Sequence, residues 1–345
     1  MFSKVNAPFS LLSDELDEYL EKGWFRMGQA LFTTNFLNFK TQFYSAVWLR
    51  TDLKSFAPDS TFLKLKKLNA GFQFRIQRFN LTSDKHDLFN LYRGSVPFDA
   101  SDSLVQLLYG TSGIVESIFD TYEVCLYDDE KLIATGVFDM GMNAAAGISS
   151  FYHPEYKKHS LGKYLIYLKI EFCKNAGLDY FYPGYFVPGY QSFDYKLSIA
   201  RDHQYFFSFK KNQWLSAAEF SAEYDLLNIL LNKLNKLKAV LDAQNIPVSL
   251  MQYEFFQANM VIELTKYDLF DYPVFLYLNK NDQNFINPII VFDILDGTYK
   301  LVECKSVWQT FENEDKDNVF ADHLLKIDRV VFASTDPCKM AENLF

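Results

Sequence analysis

The 345-residue chain has few cysteines, and their spacing carries no motif. Zinc sites and disulfide frameworks are recognised by closely spaced cysteines. The four cysteines here are scattered and form no CxxC pair: Cys125, Cys173, Cys304 and Cys338. We therefore expect reduced thiols, with neither a metal centre nor a disulfide framework.

Long hydrophobic runs and the common nucleotide motifs are also missing. No segment approaches the roughly 18 consecutive apolar residues of a membrane span, and the N-terminus lacks a basic region followed by an apolar core. The sequence contains neither a Walker A motif nor a dinucleotide-binding glycine pattern. These absences predict a cytoplasmic protein that has no contact with the membrane.

The chain is acidic overall, but one of its segments is strongly basic. The net charge of -9 argues against a general nucleic-acid binder. Between residues 40 and 78, however, eight basic residues face only two acidic ones, so that segment carries +6. A local field of this kind can attract a polyanion while the whole molecule stays acidic.

The most informative segment runs from Ile148 to Tyr185. An extended apolar stretch enters a short basic loop, a helical pattern follows and stops at Gly177, and a second extended stretch comes next. This order predicts one βαβ unit whose helix begins at Ser160-Leu161-Gly162-Lys163. Unpaired N–H groups in a first helical turn, next to lysines such as Lys158, can hold a phosphate. A solvated basic loop is the alternative.

The remaining elements are predicted from periodicity and turn residues. A helix is expected at 13–22, and a strand at 23–32 is expected to pair with 43–50. A basic helix at 61–69, a strand at 72–79, helices within 84–119 and strands at 121–127 and 132–139 follow, with residues 140–147 as a connection. Beyond them we expect a helix over 217–245 and strands at 248–256, 273–278, 288–294 and 299–304.

Antiparallel strands that lead into a single βαβ unit are typical of the GNAT acyltransferase fold, an α+β fold with a mixed sheet and flanking helices. A flavodoxin-like sheet is disfavoured, because it needs repeated βαβ units. The sequence is accordingly divided into an N-terminal β-rich subdomain (1–83), a GNAT-like domain (84–215) and a C-terminal α+β appendage (216–345).

A series of short motifs in fixed order resembles the aminoacyl-tRNA-protein transferases. In that family an Asp-ended strand precedes an aromatic strand, Ser-Leu-Gly, Ile-Glu, Tyr-x-Gly-Tyr and Tyr-Lys. The matching residues are Asp139, Phe151 to Pro154, Ser160 to Gly162, Ile170-Glu171, Gly177, Tyr182 to Tyr185, Tyr195-Lys196 and Trp214. A weaker similarity covers Gly23 to Arg26, Val47 to Arg50 and Lys64 to Asn69. The family's N-terminal cysteine cluster is absent, so the resemblance implies no metal or other cofactor.

The resemblance implies transfer of arginine or leucine from charged tRNA to the N-terminal α-amine of acceptor proteins, usually acidic ones. It places the backbone of Ser160, Leu161, Gly162 and Lys163, with Lys158, at the tRNA 3' phosphate. It places Tyr185, Tyr195 and Lys196 around the ester, and makes Asp139 and Glu171 proton acceptors or amine anchors. Arg26, Arg50, Lys64 and Lys67 are candidates for the acceptor carboxylate or for tRNA phosphates.

Two other functions fit the same sequence. A GNAT enzyme that uses acyl-CoA would place pyrophosphate in the same helical turn. A non-catalytic module would bind tRNA or acidic N-termini without transfer.

Overall fold

The computed structural model describes residues 2–39, 42–96, 101–110, 116–278, 288–309 and 318–344. The chain forms two compact units. The first comprises Met1–Val5, Thr33–Ser45 and Ser221–Phe345, and the second comprises Asn6–Phe32 and Ala46–Phe220. The division differs from the sequence-based one at residues 83 and 215, because strands on both sides of residue 83 join one sheet of the second unit.

The strands of the described residues range from two residues to twelve. They are β1 Ser3–Asn6, β2 Phe25–Met27, β3 Ala30–Thr34, β4 Phe36–Phe39, β5 Gln42–Ser45, β6 Val47–Asp52, β7 Gln73–Arg78, β8 Thr121–Asp128, β9 Lys131–Met140, β10 Ala144–Tyr152, β11 Tyr180–Phe186, β12 Gln204–Ser208, β13 Gln213–Ser216, β14 Val248–Tyr253, β15 Val274–Leu278, β16 Ile289–Asp293, β17 Thr298–Gln309, β18 Val319–Phe320 and β19 His323–Ser334.

The helices include one long buried helix in each unit. They are α1 Ser13–Glu21, α2 Ser60–Leu68, α3 Ser83–Ser95, α4 Leu104–Tyr109, α5 Leu161–Asn175, α6 Leu226–Ala243 and α7 Pro337–Glu342, with 3₁₀ segments that include Pro154–His159 and Gln191–Ser198. No helix in the described ranges is both long and apolar enough to cross a bilayer.

The second unit is built on an eight-stranded sheet in the order β13-β12-β6-β11-β10-β9-β8-β7. The predicted strands at 121–127 and 132–139 are present as the antiparallel pair β8–β9. The predicted βαβ unit is also present, because β10 and β11 are parallel and α5 connects them. The α+β fold class is therefore confirmed.

Both faces of this sheet are covered by apolar side chains. Helix α5 buries almost its whole first three turns against one face, where Leu165, Ile170 and Phe181 belong to one core cluster. On the other face α1 packs with Leu16 and Leu20 against Trp48 and Tyr182. The Asp17 carboxylate fixes α1 to the start of β10 by accepting bonds from the backbone N–H groups of Asn143 (2.7 Å) and Ala144 (3.1 Å).

Several local predictions are corrected. The predicted strand at 23–32 is a hairpin, because Gly28 adopts a positive φ of 61° and reverses the chain between β2 and β3. Its predicted partner, 43–50, is two strands, and β6 pairs with β11 and β12 instead. The predicted connection at 140–147 already contains the start of β10.

The helical predictions hold in part. Residues 84–119 contain α3 and α4, whereas positions 97–100 and 111–115 lie outside the described residues. The helix predicted from residue 217 begins at Leu226, where the Asp225 carboxylate caps it by accepting from the Asn228 N–H.

The first unit contains a six-stranded sheet in the order β18-β14-β15-β16-β17-β19. Helix α6 has five buried leucines, at 226, 230, 234, 237 and 241, which follow the predicted spacing. The predicted strands at 248–256, 273–278, 288–294 and 299–304 correspond to β14, β15, β16 and the first half of β17. The sequence reading missed β19, the twelve-residue antiparallel partner of β17.

One buried ion pair joins the β2–β3 hairpin to the large sheet. Arg26 Nη1 lies 2.8 Å from Asp139 Oδ1, and both side chains are almost completely buried. Arg26 also donates to the carbonyls of Gly28 and Leu108 and to the Thr121 hydroxyl. Removing one partner of such a pair leaves an uncompensated charge, which is costly in a protein interior.

We expect Arg26→Met to lower the free energy of unfolding by roughly 3–5 kcal/mol, because Asp139 would stay buried without its cation. The matched control is Arg78→Met, which removes an ion pair with Asp120 whose arginine is 75% exposed. That control should cost at most about 1 kcal/mol. Urea denaturation measures both changes, and equal losses would contradict a structural role for the Arg26 pair.

Candidate functional site

The two parallel strands of the βαβ unit separate halfway along their length. β10 and β11 are paired only from Ala144–Tyr180 to Ala146–Tyr182. Beyond this point β10 stays with β9 and β11 stays with β6. We call the opening between residues 147–152 of β10 and 183–186 of β11 the splay. Residues 147–150 and 152 of β10 and residues 184–185 of β11 are only half-buried there, although they lie in the middle of a sheet.

Helix α5 begins beside the splay. Its preceding residue, Ser160, has a left-handed backbone with φ of 51°, which turns the chain sharply from the 3₁₀ segment into the helix. The Ser160 side chain makes no capping bond, so the first-turn N–H groups are left for an external acceptor. Tyr152 from β10 lies against this turn, with Cε1 3.6 Å from the position that a Gly162 Cβ would take. Lys163 lies 5.9 Å from the centre of the Tyr195 ring.

Lys196 lies at the edge of the splay. Its Nζ donates to the Tyr185 carbonyl at 2.9 Å and lies 5.3 Å from the Tyr185 ring centre and 5.1 Å from that of Phe193. Gly184 permits this approach, since a Cβ there would lie 3.3 Å from Nζ. Among the described residues Lys196 has no carboxylate partner, so two of its three possible donors remain available to a ligand.

Burial shifts the proton affinities of these groups in opposite directions. It lowers the pKa of Lys196 to about 8, since the charged form is poorly solvated. It raises the pKa of Tyr185 to about 12 and that of Tyr195 to about 12. At neutral pH the two phenols are therefore hydrogen-bond donors, and a fraction of Lys196 is a neutral amine.

Tyr92 and Tyr152 extend this group of aromatic side chains. Their ring centres are 5.1 Å apart, and the Tyr152 phenol adds to the rise in the pKa of Tyr195 that burial causes. Burial raises the pKa of Tyr92 as well. In the parts of the chain that the structure describes, no hydrogen bond reaches the hydroxyls of Tyr92, Tyr152, Tyr185 or Tyr195.

Arg50 occupies an aromatic box on β6. Its guanidinium carbon lies 4.3 Å from the ring centre of Tyr180, 4.8 Å from that of Trp214 and 5.8 Å from that of Tyr205. Its nearest carboxylate, Glu21, is 3.9 Å away. Nε and Nη1 are buried and, apart from the Tyr182 hydroxyl near the guanidinium, have no hydrogen-bond partner within the described ranges. An arginine with buried unsatisfied nitrogens is suited to receive an anion.

Two of the predicted site residues are paired with each other. Arg26 and Asp139 form the buried ion pair described above, and Asp139 Oδ1 also accepts from the Thr121 hydroxyl at 2.7 Å. Burial raises the pKa of Asp139, and the Arg26 charge opposes that rise. The structure thus gives both residues a partner within the fold, and their predicted contacts with substrate stay predictions.

The other predicted residues lie on or near α2 and α5. Glu171 accepts from Lys66 of α2 at 2.6 Å, on the side of α5 that faces α2. Lys64, Lys67 and Lys158 are exposed. The end of α2 is joined to the 3₁₀ segment that carries Lys158, because Asn69 donates to the His159 carbonyl at 3.2 Å.

The structure also contains a cavity away from the splay. It has a volume of about 240 Å³ and is lined by residues that include Leu12, Arg78, Asp120 and Met140. Met140 ends β9 beside the start of β10, so this cavity lies at the opposite end of β10 from the splay. It contains none of the predicted site residues.

Sequence reasoning singled out neither Tyr152 nor Lys169 as a site residue. Tyr152 belongs to a predicted strand and to the motif from Phe151 to Pro154, but its approach to Gly162 is visible only in three dimensions. Lys169 carries a signal in the sequence, because it is the one cation between Tyr164 and Ile170 in an otherwise apolar helical run. The described residues contain no group of three or more His, Cys, Asp or Glu side chains that could hold a metal.

Solved structures show only limited similarity to this chain. FemX superimposes with a TM-score of 0.35 and 10% identity, over 56% of this chain and 66% of its own. A GCN5-related N-acetyltransferase from Kribbella flavida gives a TM-score of 0.27 and 12% identity, over 45% of this chain and 49% of its own.

Sequence comparison is more informative. Residues 84–206 match the family "Arginine-tRNA-protein transferase, C terminus". An aspartate/glutamate leucyltransferase of Leptospira interrogans is 27% identical over 220 residues, which cover 63% of this chain and 84% of the relative. One from Campylobacter jejuni is 37% identical over 75 residues, 22% of this chain and 31% of the relative. Residues 84–206 are therefore similar to the C-terminal part of the aminoacyl-tRNA-protein transferases.

Proposed function

We propose that this protein transfers an aminoacyl group, leucine or arginine, from charged tRNA to the N-terminal α-amine of acceptor proteins that begin with an acidic residue. The observation that carries the proposal is the approach of the Lys196 amine to Tyr185 at the splay, while Tyr195 lies beside Lys163 of the first turn of α5. The names of the relatives, aspartate/glutamate leucyltransferases, support the same chemistry.

The tRNA is proposed to approach along α2 and the start of α5. The first-turn N–H groups of Leu161, Gly162 and Lys163 would bind a phosphate near the 3' end. Lys64 and Lys67 on α2 and Lys158 on the 3₁₀ segment are exposed cations on neighbouring elements that the Asn69–His159 contact holds together. They would bind phosphates further along the acceptor stem.

An aminoacyl ester is already activated, so the site has three tasks. It must align the acceptor amine with the carbonyl carbon, accept the proton that the amine loses, and stabilise the oxyanion of the tetrahedral intermediate. We assign the proton to the neutral amine of Lys196 and the oxyanion to one phenol hydroxyl, that of Tyr185 or that of Tyr195. Collapse of the intermediate breaks the bond between the carbonyl carbon and the tRNA 3' oxygen, which takes up a proton as the new amide remains.

The Arg50 box is proposed to select the acidic acceptor. Arg50 lies two residues from Trp48 along β6, about 7 Å at the usual strand rise, and Trp48 is the register partner of Tyr185 in the splay. This separation allows an N-terminal Asp or Glu to place its α-amine at the splay and its carboxylate near Arg50. The unsatisfied Nε and Nη1 atoms would then gain an anionic partner.

Radiolabelled Leu-tRNA and Arg-tRNA, each incubated with a peptide that begins with Asp, test the transfer itself. We expect label in the peptide with at least one of the two. The double variant Lys158→Glu/Lys163→Glu should raise the KM for tRNA roughly tenfold or more, with a strong salt dependence. Lys236→Glu/Lys266→Glu, at two exposed lysines of the first unit, is the charge-matched control. Saturable acetyl-CoA binding without any tRNA transfer would favour the acyl-CoA enzyme instead.

Acceptor selection is tested by comparing peptides that begin with Asp and with Asn. Arg50→Met should lower kcat/KM for the Asp peptide by roughly 10- to 100-fold, the value of a hydrogen bond to a charged group. It should leave the Asn peptide unchanged, which serves as the internal control for folding. For the Asp peptide, kcat/KM of Arg50→Lys should lie between the values of wild type and Arg50→Met, because lysine keeps the charge but lacks the planar guanidinium. An equal loss with both peptides would exclude the carboxylate subsite.

The role of Lys196 predicts a particular pH dependence. Both Lys196, with a pKa of about 8, and the acceptor amine must be neutral for transfer. Below pH 7 the logarithm of kcat/KM should therefore rise with pH with a slope near two. In Lys196→Met the residual activity should show a slope near one, from the amine alone. A wild-type slope of one would mean that Lys196 acts in its charged form.

A further inference from the structure

Lys169 is a buried cation that the proposed chemistry does not use. Its residue is only 1% exposed, in the middle of α5. Its Nζ donates to the Val137 carbonyl of β9 at 3.0 Å, to the Ser149 carbonyl of β10 at 3.0 Å and to the Ser150 hydroxyl at 3.1 Å. These three acceptors satisfy all the donors of an ammonium group. Burying such a group is costly, so its retention requires a local reason.

The three acceptors surround an irregularity in β10. The pairing of β10 with β9 shifts between Gly147 and Ser149, which is a β-bulge at Ile148. Pairing of β10 with β11 ends at Ala146, one residue before Gly147. Lys169 therefore binds the strand where it leaves β11 and where the splay begins.

The bulge also decides which side chains of β10 face α5. Ala145, before the bulge, belongs to the core cluster under α5. Regular alternation would place Phe151 on that same face, but Phe151 packs with the α3 cluster and Tyr152 packs under α5. One extra residue reverses the alternation. The bulge is thus what brings Tyr152 to the first turn of α5.

Gly136 provides the space for the lysine stem. A Cβ at this position would lie 2.6 Å from Lys169 Cε and 3.2 Å from its Nζ, closer than carbon atoms approach without displacement. Gly136 is the register partner of Ser150, so the glycine lies beside the same hydroxyl that Lys169 binds. The Lys169 side chain can therefore reach its three acceptors only because residue 136 is a glycine.

We propose that Lys169 is a positioning residue whose amine holds the bulge of β10 and thereby keeps the splay open for the aminoacyl ester. The proposal rests on the function proposed above. Helix α5 then has two tasks. Its first turn binds the phosphate. Lys169, two turns later, fixes strand β10.

The bonding pattern is independent of the charge on Lys169. Burial lowers its pKa to about 7, and the nearby charge of Lys196 adds to the lowering, whereas Cys173 and Asp139 oppose it. A neutral amine can still donate to the two carbonyls while its lone pair accepts from the Ser150 hydroxyl. Lys169 can therefore hold the bulge across the pH range in which Lys196 changes its charge.

A double-mutant cycle between Gly136→Ala and Lys169→Ala tests the proposal, with kcat for peptide aminoacylation as the readout. We expect Gly136→Ala alone to lower kcat about tenfold or more, because the displaced lysine releases the bulge. In the Lys169→Ala background the same glycine change should alter kcat less than about twofold, since the stem at 2.6 Å is gone and only Leu165 Cβ, at 3.3 Å, remains close. The KM for tRNA should stay within about twofold in Gly136→Ala, because its phosphate contacts lie elsewhere.

Gly94→Ala is the matched control, because a Cβ there meets no atom within 4 Å. Equal effects of Gly136→Ala in both backgrounds, or a KM change without a kcat change, would overturn the positioning role. Lys169→Met fills the same space without a donor and should lower kcat as Gly136→Ala does; kcat within about twofold of wild type would also overturn it.

Hydrogen exchange separates this proposal from the proposed function. Amides of residues 147–152 should exchange faster in Gly136→Ala and Lys169→Met than in wild type and Gly94→Ala. If wild type transfers no amino acid but the exchange changes as expected, the function fails and the positioning role stands. Unchanged exchange together with unchanged kcat would refute the positioning role alone.

Discussion

The separation of β10 from β11 is the constraint on which the site depends. A parallel pair that continued to Tyr152 would satisfy its own backbone and leave no room for a ligand. Here the pairing stops at Ala146 and Tyr182, and the bulge at Ile148 follows at once. The N-terminus of α5, Lys196 and Tyr195 all adjoin this opening, so one interruption in a sheet organises groups from distant parts of the chain.

Buried charged side chains differ between the scaffold and the candidate site in whether the fold itself supplies their partners. Arg26 and Asp139 are bonded to each other and to neighbouring backbone, as a structural pair requires. Within the described parts of the chain, Arg50 has only a distant carboxylate neighbour, Lys196 has none, and both keep donors for a ligand. Leaving a buried cation without an anion costs stability, and a substrate that supplies the anion or the proton offsets that cost when it binds.

The sequence predicts those features that local pattern determines. The helix after Ser160, the β8–β9 hairpin and the leucine repeat of α6 each follow from periodicity and turn residues, and all three are present. The ordered motifs also indicated the family whose model matches residues 84–206. By contrast, the β2–β3 hairpin was read as one strand, because Gly28-Gln29 is a weak turn signal between apolar residues.

The pairing of side chains could not be predicted from pattern. Arg26 and Asp139 are 113 residues apart, and nothing local indicates that they neutralise each other. The environment of Arg50 depends on Tyr180, Tyr205 and Trp214, which meet only in the folded sheet. Lys169 is the clearest case. A lone lysine in an apolar helical run stands out in the sequence, but nothing in the pattern indicates the bulge that this lysine binds.

The most direct test of the account is a crystal structure of the protein with a CCA trinucleotide that carries leucine through a non-hydrolysable 3'-amide. The account predicts the leucyl carbonyl in the splay, within hydrogen-bond reach of Tyr185 or Tyr195 and near Lys196 Nζ, with a phosphate at the first turn of α5. An aminoacyl group bound elsewhere, such as in the cavity beside Arg78 and Asp120, with the splay empty, would contradict it.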